Sequence, residues 1–107
     1  MSLKKLTLIG SIFLAFGFAS MQTNKVVIYG SDSCNHCIDL KKDLDSVKIG
    51  YQFHDVEQNM EKESEMIAVL NKHRSDGYVT FPLVEINGEK LINGATLALI
   101  KEALKED

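Results

Sequence analysis

The order of apolar and polar positions changes period several times along this chain, and each change predicts an element. Val26–Tyr29 is an unbroken apolar run of strand-forming residues, the pattern of a strand buried on both faces. Gly30-Ser31-Asp32-Ser33 follows as loop chemistry, with Ser33 or Asp32 suited to cap a helix. From Cys37 the apolar positions step by three and four through Leu40, Leu44 and Val47, with Lys41, Lys42, Asp43 and Asp45 outside. That spacing predicts an amphipathic helix ending near Ile49-Gly50. Tyr51–Val56 alternates with period two and reads as a second strand. A turn at Glu57-Gln58-Asn59 leads into a helix from Met60 to about Arg74, with Met66, Ile67 and Leu70 toward the core. Ser75-Asp76-Gly77 stops it. Leu83–Ile86 and Lys90–Ile92 flank Asn87-Gly88, the strongest short hairpin signal. Asn93-Gly94 turns the chain again, and Ala95–Lys105 carries Leu97, Ile100 and Leu104 on one side of a last helix.

The predicted order is therefore β-α-β-α-β-β-α, an α/β domain. The first two strands, joined through a helix, are expected to be parallel, and the hairpin adds an antiparallel pair.

Ahead of this pattern, Lys4-Lys5 precedes an almost uncharged stretch from Leu6 to Ala19 that ends in Gly17-Phe18-Ala19-Ser20. A basic start, an apolar run and small residues at the cleavage position predict a signal peptide over residues 1–19. The run is short against the ~20 apolar residues of a membrane span. An uncleaved N-terminal anchor is the alternative, because the stretch extends to Met21. Residues 20–24 then form a linker and 25–107 the domain. The expected location is extracytoplasmic, periplasmic or secreted, or else membrane-anchored and facing outward. Cleavage removes two lysines and no acids, so 12 basic and 15 acidic residues become 10 and 15, and the formal charge moves from −3 to −5. Such a domain has little attraction for nucleic acid or for an anionic membrane surface. Membrane association is expected only through the N-terminal segment, if uncleaved.

The chain has 2 cysteines, Cys34 and Cys37, placed where the first strand feeds the first helix. A bridge across two intervening residues closes a loop too small to stabilise much, so the pair reads as chemical rather than structural. A helix N-terminus stabilises a thiolate, which makes Cys34 the expected nucleophile and Cys37, one turn inside, the resolving thiol. A protonated His36 beside the Cys34 sulfur would favour the reduced form and make the disulfide more oxidising. Two other readings use the same residues. Cys34, His36 and Cys37 are donors that suit copper or zinc. Three donors within four residues do not complete a tetrahedral structural zinc site, however, and the sequence has no second Cys/His cluster. No metal or other bound cofactor is expected. A non-catalytic adaptor of the same fold is the third reading, separable only by activity. His54 and His73 each stand alone on their elements and read as surface or capping residues. Asp39, Asp43, Asp45, Glu61, Glu63 and Glu65 read as solvated helix faces, and Glu85 as the outward residue of its strand.

Tyr29-x4-Cys34-x-x-Cys37, Thr80-Phe81-Pro82, Asn87-Gly88 and Asn93-Gly94, in this element order, resemble the glutaredoxins from roughly Lys25 to Leu104. The resemblance implies a thioredoxin-like fold of glutaredoxin type, with a mixed four-stranded sheet flanked by three helices. It implies a thiol–disulfide oxidoreductase working through a mixed disulfide on Cys34. It also implies a cis peptide before Pro82, setting Phe81 backbone groups opposite the cysteines. The implied substrate site comprises Tyr29, Thr80, Phe81, Pro82, Asn93 and Gly94. As aromatics, Tyr29, Tyr78 and Phe81 suit an apolar rim for peptide substrates, with core packing the alternative and the commoner fate of an aromatic beside a strand. Implied partners are protein disulfides or dithiols, a redox recycling partner, and glutathione as co-substrate. The chain departs from the family pattern at three places. Ser31 replaces a lysine that contacts a glutathione carboxylate. Ala95 and then Thr96 follow the second glycine, where an acid or hydroxyl holds the glutamyl end. Asn35-His36 replaces Pro-Tyr. A histidine before the second cysteine is similar instead to the motifs of protein disulfide isomerase and of the bacterial periplasmic thiol oxidase, which fits export.

Overall fold

Seven elements follow one another in the expected order in the computed structural model, which describes residues 24–105. They are β1 (Val26–Gly30), α1 (Asn35–Ser46), β2 (Gln52–Asp55), α2 (Met60–Lys72), β3 (Leu83–Ile86), β4 (Lys90–Asn93) and α3 (Leu97–Lys105). The signal or anchor expected over 1–19, and the linker up to 23, lie outside the described residues. Among the described residues no helix is long and apolar enough to cross a membrane.

The four strands form one sheet in the order β2-β1-β3-β4, with β1 and β2 parallel and the other pairs antiparallel. The continuous apolar run of β1 follows from its place inside that sheet. Val26 and Ile28 pack on one face with Leu40 and Leu44 of α1 and Ile100 and Ala103 of α3. Val27 and Tyr29 point to the other face, against Met66 and Leu70 of α2. Alternation across the pleat thus covers both faces with helices. The β3–β4 hairpin turns on Asn87 and Gly88, at φ 54° and 70°, the positive pair that a type I′ turn requires.

Helix ends depart from the sequence expectation. α1 stops at Ser46, short of Ile49-Gly50, because Lys48 takes φ 62° and the Ile49 N–H donates to the Leu44 carbonyl at 3.0 Å. That closure returns Ile49 to the core beside α1 and leaves Val47 exposed. α2 ends at Lys72 in the same manner: Arg74 is at φ 58° and the Ser75 N–H donates to the Leu70 carbonyl at 2.9 Å. Ile67, expected in the core, is 48% exposed, while Met66 and Leu70 carry the packing of that helix.

Glu85 is not the outward residue expected of its strand. β3 has neighbours on both edges and helices on both faces, so Glu85 is only 9% exposed. Lys72 Nζ donates to its Oε2 at 3.1 Å, and the His73 ring Nε2 lies 2.8 Å from the same oxygen. Burial opposes the charge on Glu85, but the bonds from His73 and Lys72 outweigh it and hold the carboxyl below its ordinary range. His73 is therefore a structural partner rather than a bland surface residue. Glu65 also has a task, accepting from the Tyr29 hydroxyl at 2.8 Å and from Lys62 Nζ at 3.0 Å.

Candidate active site

The end of β1 and the start of α1 bring the cysteines to one end of the sheet, beyond the C-terminus of an interior strand. Cys34 is the N-cap of α1, with extended φ −91° and ψ 118°. Its N–H donates to the Ser31 carbonyl at 3.1 Å, and its own carbonyl accepts from Ile38 N–H at 3.0 Å. The cap acceptor is the sulfur itself: Cys37 N–H donates to Cys34 Sγ at 3.4 Å. This corrects the expectation that Ser33 or Asp32 caps the helix. Asp32 instead binds Lys41 Nζ at 3.3 Å, and its N–H donates to Asp55 Oδ2 at 3.0 Å. Both cysteines are free thiols, Cys34 half-buried and Cys37 buried.

Cys37 is held by a close approach of backbone. A Cβ added at Gly30 would stand 2.5 Å from Cys37 Sγ and 3.4 Å from the Phe53 ring. Only a residue without a side chain leaves room there for the sulfur. Lys41 Nζ lies over the Phe53 ring, 3.8 Å from its centroid. Burial pushes the Cys37 thiol up to about 12, against the opposing pull of the Ser31 main-chain N–H and the Lys41 charge.

Beside Cys34 the loop is polar and acidic. Ser31 is buried, and its hydroxyl donates to Glu57 Oε1 at 2.6 Å while accepting from Ser33 N–H at 3.1 Å. Glu57 also takes the Ser33 hydroxyl at 3.4 Å. Asp55 fixes the neighbouring turn by accepting from the N–H groups of Glu57 and Gln58 at 2.9 and 3.0 Å.

Across from the helix start lies the proline loop. The Phe81–Pro82 peptide is cis. His36, Thr80, Phe81, Pro82, Gly94, Ala95 and Thr96 line a groove of about 210 Å³. The structure thus brings together His36, Thr80, Phe81, Pro82 and Gly94 of the expected site. It does not bring Tyr29 there. That ring is 2% exposed, packed under α2 with its hydroxyl on Glu65, so Tyr29 is a core residue and not part of a substrate rim. Tyr78, at 70% exposure, stands on the proline loop. The Asn93 side chain is turned onto that loop: its Oδ1 accepts from Thr80 N–H at 2.7 Å and its Nδ2 donates to the Tyr78 carbonyl at 2.7 Å.

A larger hollow of about 450 Å³ lies between Asn24–Val26 and Gly50–Gln52, at the opposite end of β1 from the cysteines, and neither thiol lines it. Among the described residues no three His, Cys, Asp or Glu side chains gather closely enough to hold a metal ion, Cys34, His36 and Cys37 included.

The glutaredoxin family model matches residues 26–92, which span both cysteines and the proline loop. The chain belongs to the glutaredoxin family. A glutaredoxin from Methanosarcina mazei Go1 is 31% identical over 75% of this chain and 77% of its own, with a TM-score of 0.63. A thioredoxin-like protein, crystallised as a point mutant, superposes with a TM-score of 0.57 at 23% identity, over 74% of this chain and 97% of its own. Plasmodium falciparum thioredoxin does so with 0.50 at 19% identity, over 95% and 84%. At these lower identities the likeness is one of fold. No curated protein matches the chain.

The protein thus has a thioredoxin-like fold of glutaredoxin type and a domain of the thiol–disulfide redox kind. Within that family setting, two features of the site escaped the sequence reading. Gly30 looked like the first residue of a loop, and nothing in one dimension marks it as the seat of a sulfur seven residues on. Glu57 looked like part of a turn, and only the folded loop sets its carboxylate on Ser31.

Proposed function

We propose that this protein is an exported thiol–disulfide oxidoreductase that exchanges the Cys34–Cys37 pair with protein disulfides or dithiols. The observation that carries the reading is the start of α1, where a half-exposed Cys34 caps the helix with its sulfur and Cys37 lies buried one turn on. A helix N-terminus offers negative charge on that sulfur a donor and a favourable dipole.

In the reductive direction, the Cys34 thiolate attacks one sulfur of a substrate disulfide. A bond forms between Cys34 Sγ and that sulfur, the substrate S–S bond breaks, and the other sulfur leaves as a thiolate. Cys37, once deprotonated, attacks Cys34 Sγ, forms the Cys34–Cys37 disulfide and releases the second substrate thiolate. Two electrons pass to the substrate, and the reverse sequence oxidises a substrate dithiol. Burial keeps Cys37 protonated at neutral pH, so it does not compete for the first attack. A positive charge on His36, next to Cys37 in the chain, would favour the reduced pair. Phe81 offers main-chain groups to an extended substrate in β-fashion. A recycling partner of the dithiol or disulfide class completes the cycle.

A protein partner is preferred to glutathione on the chemistry of one loop. Where a glutathione carboxylate would need a cation, Ser31 is buried and holds the Glu57 carboxylate at 2.6 Å, and like charges at short range repel. The basic, apolar and small-residue order of residues 1–19 supports export.

The test is exchange with a disulfide-bonded peptide and with glutathione disulfide. Wild type is expected to reduce the peptide faster. Cys34→Ser is expected to abolish exchange, and Cys37→Ser to accumulate a mixed disulfide on Cys34. Wild-type rates in Cys34→Ser sink the reading, and faster turnover of glutathione disulfide would make glutathione the partner.

A further inference from the structure

The proline loop has more main-chain hydrogen-bonding groups than the hairpin beside it uses, and the pattern of use is specific. Gly94 N–H donates to the Thr80 carbonyl at 2.9 Å, and Ala95 N–H donates to the Pro82 carbonyl at 2.8 Å. The Asn93 carboxamide supplies the next rung as a strand would, accepting from Thr80 N–H and donating to the Tyr78 carbonyl, each at 2.7 Å. Gly94, at φ 72°, lets the two segments meet; a Cβ there would stand 3.2 Å from Thr80 Cγ2. Proline has no N–H to offer. Within Thr80–Pro82, this leaves the N–H and C=O of Phe81 without a partner among the described residues. Phe81 is also a wall of the groove that His36 and Pro82 line.

We propose that Asn93 is a positioning residue for substrate: its side chain does not bind the substrate but splints the proline loop so that Phe81 alone presents one donor and one acceptor to an extended peptide. The proposal rests on the redox reading above, including main-chain recognition by Phe81, and adds to it one residue, Asn93. A carboxamide suits the task because it has both a donor and an acceptor on one planar group. Unpaired main-chain groups are satisfied by whatever docks against them, and a strand-like peptide matches one donor and one acceptor on the same residue. Recognition of that kind reads backbone, so it is tolerant of substrate sequence. It is also beyond the reach of a disulfide too small to carry a peptide backbone.

The experiment compares a disulfide-bonded peptide with hydroxyethyl disulfide, using the full domain and its Asn93→Ala and Asn93→Asp variants. The readout is the ratio of the two kcat/KM values, which a merely structural role would not move. Loss of two neutral hydrogen bonds is expected to lower that ratio on the order of tenfold in Asn93→Ala. Asn93→Asp keeps the acceptor for Thr80 N–H but not the donor to Tyr78, and an intermediate fall is expected. It also serves should Asn93→Ala fail to fold. An independent measurement is amide exchange in the Cys37→Ser protein trapped as a mixed disulfide with the peptide. The Phe81 amide is expected to slow on trapping, and to slow less when Asn93→Asp is also present. An unchanged ratio in the folded variants, or a Phe81 amide indifferent to trapping, overturns the inference while leaving the redox reading intact. A wild-type protein inactive on both disulfides sinks the redox reading itself, and the inference with it.

Discussion

The chemistry of this site depends on what single residues exclude as much as on what they supply. Gly30 contributes no functional group, yet the Cys37 sulfur occupies the space its side chain would take. Gly30→Ala must therefore displace either the strand end or the sulfur. Overpacking of this kind costs about 1–3 kcal/mol. The expected outcome is a lower urea midpoint together with a slower second step, read as a longer-lived mixed disulfide on Cys34. A variant with wild-type stability and wild-type resolution would mean that the sulfur has another seat. The motif Cys34-x-x-Cys37 was legible in the sequence as chemistry, because its spacing alone places one thiol a turn beyond the other. That Cys37 lies inside was legible too, from its place on the apolar face of α1; what seats its sulfur was not, since that comes from Gly30 on β1 packed near Phe53 on β2.

At the scale of elements, apolar periodicity predicted every strand and helix, while the ends were set by bonds the pattern does not contain. Lys48 and Arg74 take left-handed conformations that a reader would assign to glycine, because each lets the next N–H reach back to a helix carbonyl. The start of α2 is more local. Asn59, extended at φ −140°, accepts through Oδ1 from Glu61 N–H at 3.0 Å and Lys62 N–H at 3.1 Å. Asn59→Ala is expected to cost about 1 kcal/mol, seen as a lower thermal midpoint with the rate of exchange at Cys34 unaltered. α2 packs on the face of the sheet away from α1 and α3, so a fall in exchange would show that the two faces are coupled.

Across the whole molecule, the sheet is covered on both sides, and Glu85 is the acid caught inside that sandwich. Its carboxyl is held below the ordinary 4.5 by His73 and Lys72 despite burial. A group depressed in the folded state adds stability above its unfolded value, and loses it as pH falls through the folded one. Glu85→Ala is expected to cost about 1–3 kcal/mol near pH 7 by leaving its partners unpaired. The gap to wild type should then narrow as pH falls below the ordinary 4.5 and through the lower folded-state range of this carboxyl, where wild type gives up its own advantage. Urea titrations of both proteins across that acid range and near neutrality check this, and a gap independent of pH would assign the cost to packing instead.

The sequence by itself determined the element order, the parallel pairing of the first two strands, the antiparallel hairpin with its turn and the identity of the two thiols. Each of these is written in periods of two or 3.6 residues, or in a spacing of a few positions. The tertiary structure alone decided which groups meet across the chain: Tyr29 in the core rather than at the rim, Glu85 inside rather than outside, Glu57 on Ser31, and Asn93 on the proline loop. Those contacts join residues on different elements, and a short-range pattern carries no information about what lies opposite once the sheet has closed.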